Sequence, residues 1–253
     1  MSYFTFDNKK IYYEENGSGT PLLFLHGNTA SSKMFTDFSK RYTDSYKVIL
    51  IDFLGHGRSE RLSEFPADLW FYEAQQAIAF LRHKHYDKVN IIGSSGGAIG
   101  ALNVALEASE CVDKVIADSF EGEKADDAFV KNLLSDRSSS LEDTNARVFY
   151  SYMHGDDWEQ IVENDTSAII RHEKEIGYFF RRPISEMRAE VLLTGSKKDS
   201  LMYSVYDNYY ETVYGKILKQ IPKGKMYLFE SGDHPAMITN AEAFYDISMD
   251  FLA

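Results

Sequence analysis

The chain has 253 residues, enough for one large hydrophobic core. With 27 Lys and Arg residues against 39 Asp and Glu residues, its formal charge of −12 disfavours nucleic acid as a partner. No apolar run approaches the roughly 18 residues of a membrane span, so we expect no membrane partner. The single cysteine excludes an internal disulfide, and the first residues carry neither a basic leader nor an apolar signal segment. We therefore expect a cytoplasmic protein.

Short apolar runs alternate with stretches of helical periodicity along most of the chain. The runs at 21–25 and 47–51 are apolar on both faces, which is typical of strands inside a parallel sheet. The alternation predicts an α/β fold with a doubly wound, mostly parallel sheet, whose strand ends form one edge where sites develop. The predicted strands cover 3–6, 10–15, 21–25, 47–51, 89–92, 114–117, 190–194 and 225–230, and the predicted helices cover 32–40, 69–85, 96–108, 201–214 and 237–251.

The segment from 120 to 187 differs from the rest of the chain. It is charged, has helical periodicity and contains no convincing strand. We predict an all-helical insertion that leaves the sheet at the strand-end edge and divides the chain into a core, 1–119 and 188–253, and a helical segment, 120–187. Its predicted helices cover 128–134, 144–152, 158–163 and 167–180.

Residues 93–97 place Ser95 at the centre of a Gly-x-Ser-x-Gly pattern between a predicted strand and a predicted helix. A sharp turn at this point lifts the serine hydroxyl above the sheet edge, and bulky residues two positions before or after it would clash. The same turn directs the backbone N–H of Gly96 toward the reacting centre, at the positive end of the helix. A glycine-serine turn that only connects strand to helix is the alternative interpretation.

A serine hydroxyl needs a base to take its proton and a group to orient that base. Both should follow later strands, with the acid before the histidine in the chain. His234 follows the last predicted strand and is the candidate base, although it could instead cap the final helix. Asp199 ends the loop after the penultimate strand and is the candidate acid. Asp118 also ends a strand and stays open as the alternative acid.

The oxyanion of a tetrahedral intermediate needs at least two preorganised hydrogen-bond donors. The N–H of Gly96 is one candidate. The N–H of Asn28 is the second, because the loop after the strand at 21–25 lies next to the turn at Ser95 in this topology. The Asn28 side chain could face the pocket or form a turn. His26 comes too early in the chain to be the base, and we expect it to shape the loop.

Together these motifs resemble the α/β-hydrolase superfamily, in its branch with a helical cap. Dehalogenases and epoxide hydrolases of this fold use an aspartate nucleophile, whereas Ser95 occupies that position here. The resemblance implies a mostly parallel eight-stranded sheet, Ser/Asp/His catalysis, and no cofactor or metal. The matching motifs are the His26-Gly27-Asn28 segment, the Asp52-x-x-Gly55-x-Gly57-x-Ser59 loop, the elbow at 93–97, the acid loop at 195–199 and the Gly232-x-His234 loop. The acid loop is one residue longer than the family's commonest Gly-x-x-Asp, which keeps Asp118 open.

We predict a serine hydrolase that cleaves a small carboxylic ester or related acyl compound through an acyl-enzyme intermediate. Its expected partner is a small-molecule acyl substrate, and residues 120–187 are expected to cover the pocket. A carbon–carbon bond hydrolase or lactonase with the same triad, and a non-catalytic ligand-binding protein on this fold, are the alternatives. If the acidic pair Asp156-Asp157 lies near the pocket, it would favour an amine-bearing substrate. The candidate pocket walls are Phe149, Tyr150, Tyr152, Trp158, Tyr178, Phe179 and Phe180.

Overall fold

An eight-stranded sheet forms the centre of the protein, in a computed structural model that describes residues 2–125 and 127–253. The strands are β1 (Ser2–Phe6), β2 (Lys9–Asn16), β3 (Thr20–Leu25), β4 (Tyr46–Ile51), β5 (Val89–Ser94), β6 (Val112–Asp118), β7 (Glu190–Ser196) and β8 (Gly224–Phe229). Their order in the sheet is β1-β2-β4-β3-β5-β6-β7-β8. Strand β2 pairs antiparallel with β1 and β4, and the other neighbours are parallel. The predicted fold class is confirmed.

Helices cover both faces of the sheet and its strand-end edge. They are α1 (Leu69–His83), α2 (Gly96–Glu107), α3 (Asp127–Ser140), α4 (Thr144–His154), α5 (Trp158–Glu175), α6 (Ser200–Tyr203), α7 (Tyr209–Leu218), α8 (Ala236–Thr239) and α9 (Ala241–Leu252). The predicted helix at 32–40 is wrong in detail, because this stretch forms two short 3₁₀ segments, Ser32–Phe35 and Ser39–Tyr42. A third 3₁₀ segment covers Ile184–Glu186.

The two faces of the sheet belong to two different hydrophobic cores. Alternate residues of a strand point to opposite faces, so Leu23 and Leu25 join the core that α1 and α2 cover. Leu22 and Phe24, on the same strand, join the core that contains Phe244 of α9. Burial on both faces explains why these strands are continuous apolar runs.

The predicted helices at 158–163 and 167–180 are wrong as separate elements, because α5 runs without a break through Asn164 and Asp165. Polar residues interrupt the apolar pattern at this point. Asp165 is nevertheless fully buried, and Arg137 of α3 lies against it. A tertiary partner therefore allows polar residues inside the helix, and sequence periodicity does not show such a partner.

Two further predicted helices are each divided in the structure. The stretch at 201–214 is interrupted before α7 by Asn208, whose φ of 57° is left-handed. The stretch at 237–251 is divided between α8 and α9 by Asn240, which has a non-helical φ of −120° and ψ of 35°. Breaks of this kind are brief and leave the apolar periodicity on either side intact, so the sequence pattern continues across them.

Helices α3, α4 and α5, here called the inserted helices, follow β6 and precede β7 in the chain. They lie within the segment for which the sequence predicts an insertion. An isolated antiparallel bridge between Lys124 and Tyr178 brings the two ends of this segment together, although no strand is predicted there. The inserted helices therefore leave and return at one place on the strand-end edge.

His154, at the end of α4, joins the inserted helices to the loops after β3 and β4. Its Nε2 donates to the carbonyl oxygen of Thr29 over 2.9 Å, and its Nδ1 accepts the N–H of Gly57 over 3.1 Å. Burial lowers the pKa of His154 to about 4, so the ring is neutral near pH 7. Both ring nitrogens are thereby satisfied at the contact between the inserted helices and the core.

We expect His154→Phe to lower the free energy of unfolding by about 1–3 kcal/mol for each buried backbone group that loses its partner. Phenylalanine keeps the ring but can neither accept the Gly57 N–H nor donate to the Thr29 carbonyl. Urea denaturation of the purified protein measures the effect. His83→Phe is the control, because this exposed ring stacks on Phe4 and phenylalanine can keep that contact. Equal losses in both variants would contradict the assignment.

Candidate active site

Ser95 lies at a tight turn between β5 and α2, with a left-handed φ of 54° and ψ of −125°. The turn is possible because backbone atoms pack where side chains would otherwise stand. A Cβ on Gly93 would lie 2.2 Å from the carbonyl oxygen of Gly97, and one on Gly97 would lie 2.1 Å from that of Leu25. The N–H of Ser95 donates to the carbonyl oxygen of Asp118 over 2.7 Å. Glycine at 93 and 97 is therefore required by the strand-to-helix geometry.

Ser95, His234 and Asp199 form a chain of hydrogen bonds. The Nε2 of His234 lies 3.0 Å from the Oγ of Ser95, and its Nδ1 lies 2.9 Å from the Oδ2 of Asp199. A carboxylate can only accept, so the ring proton lies on Nδ1 and leaves Nε2 free to accept from the serine hydroxyl. The structure thus brings together three candidate residues that lie on the loops after β5, β7 and β8.

The surroundings of Asp199 favour its ionised form. The side chain is fully buried, which by itself would raise its pKa, but the adjacent His234 ring and two hydrogen-bond donors together more than offset this. Tyr210 donates its hydroxyl to Oδ2 over 2.7 Å, and the N–H of Met202 donates to Oδ1 over 3.1 Å. The pKa of Asp199 consequently lies below its usual value, and the carboxylate can stabilise a charged imidazole.

His234 lies at the floor of a cavity, with 19% of its side chain exposed. Desolvation would lower its pKa, but the Asp199 carboxylate raises it above the ordinary histidine value, helped by the charges of Asp118 and Glu121. A ring with a raised pKa is a stronger base toward the serine proton. The geometry and the electrostatics therefore give His234 the properties of a general base.

Asp118, the alternative acid, makes its hydrogen bonds elsewhere. Its Oδ1 accepts from the hydroxyl of Thr194 over 2.7 Å, and its Oδ2 accepts from the N–H of Met237 over 3.0 Å. Burial raises its pKa to about 7. These contacts join β6 to β7 and to the start of α8. The hydrogen-bond geometry therefore favours Asp199 over Asp118 as the partner of His234.

The two candidate oxyanion donors lie on segments that pack closely together. Gly96 is the first residue of α2, so its N–H has no acceptor within the helix. A Cβ on Gly96 would lie 1.9 Å from the Oδ1 of Asn28, so a side chain there would collide with the loop after β3. That same Oδ1 accepts from the indole N–H of Trp70 over 3.0 Å. The Asn28 side chain is therefore held by a long-range contact and not by a turn, and the residue also lines the cavity above Ser95.

A buried ion pair in the inserted helices also holds Asn28. The Nδ2 of Asn28 donates to the Oδ2 of Asp165 over 2.8 Å, and the Nη1 of Arg137 lies 2.5 Å from the other oxygen of Asp165. Arg137 also donates to the hydroxyl of Thr166 over 2.8 Å. Sequence reasoning missed this pair, because charged residues on two amphipathic helices carry no signal that separates a buried pair from a solvated one.

We expect Asp165→Asn to lower the free energy of unfolding by about 3–5 kcal/mol, because it keeps the shape but leaves the buried Arg137 without its counter-charge. Urea denaturation measures the loss. Adding Arg137→Met should recover part of it, since the unpaired charge is then removed. Asp156→Asn, on an exposed residue of the same segment, is the control. A loss in Asp165→Asn no larger than in the control would show that the pair contributes nothing.

A cavity of about 150 Å³ lies above Ser95. Its walls come from the loops that follow the strands and from the inserted helices. Of the aromatic residues that the sequence predicts as pocket walls, Tyr150 lines the cavity, whereas Tyr152 and Tyr178 are exposed. The lining residues are Asn28, Thr29, Ser95, Glu121, Phe129, Leu133, Arg137, Tyr150, Ile169, Leu201 and His234.

The acidic pair Asp156-Asp157 does not lie at the pocket, which was the condition for its favouring an amine-bearing substrate. Asp157 pairs with Arg61 over 2.6 Å and does not line the cavity, so the Asp156-Asp157 pair offers no site for an amine there. Glu121 lines the cavity instead, only three residues after the end of β6. The position of Glu121 at a strand end was the signal that could have indicated it, because sites form at that edge.

Among the residues described, no group of three or more His, Cys, Asp or Glu side chains is arranged to hold a metal ion. Within the same residues, no helix is long and apolar enough to cross a membrane.

Comparison with known proteins gives the family to which this chain belongs. Residues 20–165 match the family described as alpha/beta hydrolase fold. The chain belongs to the α/β-hydrolase superfamily. It is 24% identical to the human serine hydrolase BPHL over 254 residues, which cover 96% of this chain and 83% of that protein. It is also 29% identical to haloalkane dehalogenase 2 of Mycobacterium tuberculosis over 114 residues, but the match spans only 45% of this chain and 40% of the dehalogenase.

A similar structure is the meta-cleavage product hydrolase from Pseudomonas fluorescens. The two superpose with a TM-score of 0.77 over 100% of this chain and 97% of that one, at 18% sequence identity. At this identity the likeness concerns the fold, and substrates do not follow from a fold. Family membership supports a hydrolytic role for this α/β-hydrolase.

Proposed function

We propose that this protein is a serine hydrolase that cleaves a small carboxylic ester or related acyl compound. The observation that carries the proposal is the chain of hydrogen bonds from Ser95 through His234 to the buried Asp199, with distances of 3.0 Å and 2.9 Å. This arrangement activates a hydroxyl that is otherwise a poor nucleophile near neutral pH. Ser95 and His234 line a cavity, where a substrate carbonyl can reach the serine.

In the proposed acylation step, the Oγ of Ser95 attacks the substrate carbonyl and its proton passes to the Nε2 of His234. The N–H groups of Gly96 and Asn28 donate to the oxyanion that forms. His234 then returns the proton to the leaving alcohol as the bond between carbonyl carbon and alcohol oxygen breaks. Asp199 holds the ring in the required tautomer and stabilises its positive charge.

Deacylation repeats the same chemistry with water as the nucleophile. His234 takes a proton from water as the water oxygen attacks the carbonyl carbon of the acyl group on Ser95. The tetrahedral intermediate is again bound by the two backbone N–H groups. Its collapse releases the acid and returns the proton to the serine oxygen, so that the enzyme is restored without a cofactor.

The size of the cavity supports a small acyl group. Pockets for drug-sized ligands are commonly about 300–1,000 Å³, whereas this one is about 150 Å³. We propose that residues 120–187 act as the cap over the site, because α3, α4 and α5 all contribute lining residues. Phe129, Leu133 and Ile169 make that wall apolar. The acyl group would therefore be short and would contact an apolar surface on its cap side.

A fluorophosphonate probe should label the native protein covalently and should not label Ser95→Ala, because the probe reacts with an activated serine hydroxyl. Mass spectrometry of the intact protein measures the added group. Ser94→Ala is the matched control, since this neighbouring serine is fully buried and outside the proposed triad. It should be labelled like the native protein. Unchanged labelling of Ser95→Ala, or none of the native protein, would refute the proposal.

We expect Asp199→Asn to lower kcat by about 10³–10⁴-fold, because an amide at this position favours the wrong tautomer of His234. Asp118→Asn is the comparison. It should lower mainly the free energy of unfolding and leave kcat nearly unchanged, since the native Asp118 side chain contacts Thr194 and Met237. Steady-state hydrolysis of short-chain chromogenic esters measures both variants. Near-normal activity in Asp199→Asn combined with loss in Asp118→Asn would reverse the assignment of the acid.

A further inference from the structure

Glu121 is a buried carboxyl group in the same cavity as Ser95, and the proposed reaction does not use it. Only 7% of the residue is exposed. It lines the cavity together with Ser95 and His234. Apart from its own backbone N–H, no described group donates a hydrogen bond to its carboxyl group. Burial accordingly raises the pKa of Glu121 to about 7, although the His234 charge acts in the opposite direction.

The other charged groups at the cavity already have counter-charges. Arg137 lies 2.5 Å from Asp165, which takes up its positive charge. His234 is held by Asp199 over 2.9 Å. Among the residues described, Arg137 and His234 of the cavity wall thus each contact an oppositely charged side chain, whereas Glu121 contacts none.

Two features distinguish Glu121 from an ordinary structural carboxyl. A buried acid normally has hydrogen-bond donors or a cation, because its desolvation is otherwise uncompensated. Asp118, three residues earlier in the chain, has such donors in Thr194 and Met237. Glu123 is less buried and accepts from Gln220 over 2.9 Å. Glu121 has no equivalent partner. The residue lines the cavity above Ser95 and also a second cavity, whose wall contains Lys124 and Lys216.

We propose that Glu121 binds an ammonium group of the substrate, so that the enzyme acts preferentially on esters of amino acids. The inference rests on the proposed serine-hydrolase function and adds its substrate class. An ammonium group in the cavity provides the missing counter-charge and favours the ionised carboxylate. A substrate carboxylate is disfavoured, because Asp165 already neutralises Arg137. Since one cavity of about 150 Å³ contains both Ser95 and Glu121, the amine lies only a few bonds from the scissile carbonyl.

Pairs of esters that differ only in charge test this inference. Ethyl alaninate and ethyl 2-methylpropanoate differ by an ammonium group in place of a methyl group, and ethyl β-alaninate and ethyl butanoate form a second pair with the amine one carbon further away. We expect the native enzyme to favour the amine in at least one pair by about tenfold or more in kcat/KM, as for a hydrogen bond to a charged group. Chromatography of the released acids measures the rates.

Glu121→Gln should reduce that preference by about tenfold or more, because the amide has nearly the same shape without the charge. Glu121→Asp keeps the charge and should retain part of the preference. Glu123→Gln is the matched control, because its side chain lies outside the cavity, and it should behave like the native enzyme. Thermal denaturation confirms that each variant is folded.

The outcomes separate the two proposals. Equal rates on charged and neutral esters in both pairs would overturn the role of Glu121 and leave the serine hydrolase intact. A folded Glu121→Gln variant that keeps the full preference would overturn it as well. If the native protein hydrolyses no ester and is not labelled by the fluorophosphonate, the proposed function fails, and the inference about Glu121 fails with it.

Discussion

The close approach of three backbone segments at the turn around Ser95 is the constraint on which the rest of the site depends. Glycine at 93 and 97 lets β5 turn directly into α2 against the end of β3. This contact sets the strained backbone of Ser95 and brings the loop with Asn28 beside Gly96. Ser95, the candidate nucleophile, and the two candidate oxyanion donors are thus positioned by one packing arrangement, in which even a methyl group would not fit.

Buried carboxyl groups near this turn differ in role because their surroundings differ. Asp199 has a histidine, a tyrosine hydroxyl and a backbone N–H, so its pKa is lowered. Asp118 has two neutral donors and lies between strands, and Glu121 lines the cavity without a donor from another residue. Burial raises the pKa of both to about 7. Residue type and strand-end position are shared by Asp199 and Asp118. Their contacts differ, because Asp199 accepts a hydrogen bond from His234 whereas Asp118 joins β6 to β7.

Much of the fold and part of the site could be predicted from the sequence. The strand at 21–25 is recognisable because a strand buried on both faces must be apolar throughout, and the turn at Ser95 is recognisable because only glycine fits beside it. The division of 158–180 into two helices was wrong, since the buried Asp165 has a partner in Arg137 that local periodicity does not show. The sequence left open whether the Asp156-Asp157 pair lies near the pocket, and in the structure Asp157 pairs with Arg61.

The sequence by itself determined the strand order along the chain, the glycine turn and the candidate Ser95, Asp199 and His234, because each follows from a local backbone requirement or from chain order. Only the tertiary structure decided that His234 donates its Nδ1 hydrogen bond to Asp199, while Asp118 joins β6 to β7. It also decided that Glu121 lines the cavity. These outcomes depend on distances between residues that are far apart in the chain, and such distances are set by packing.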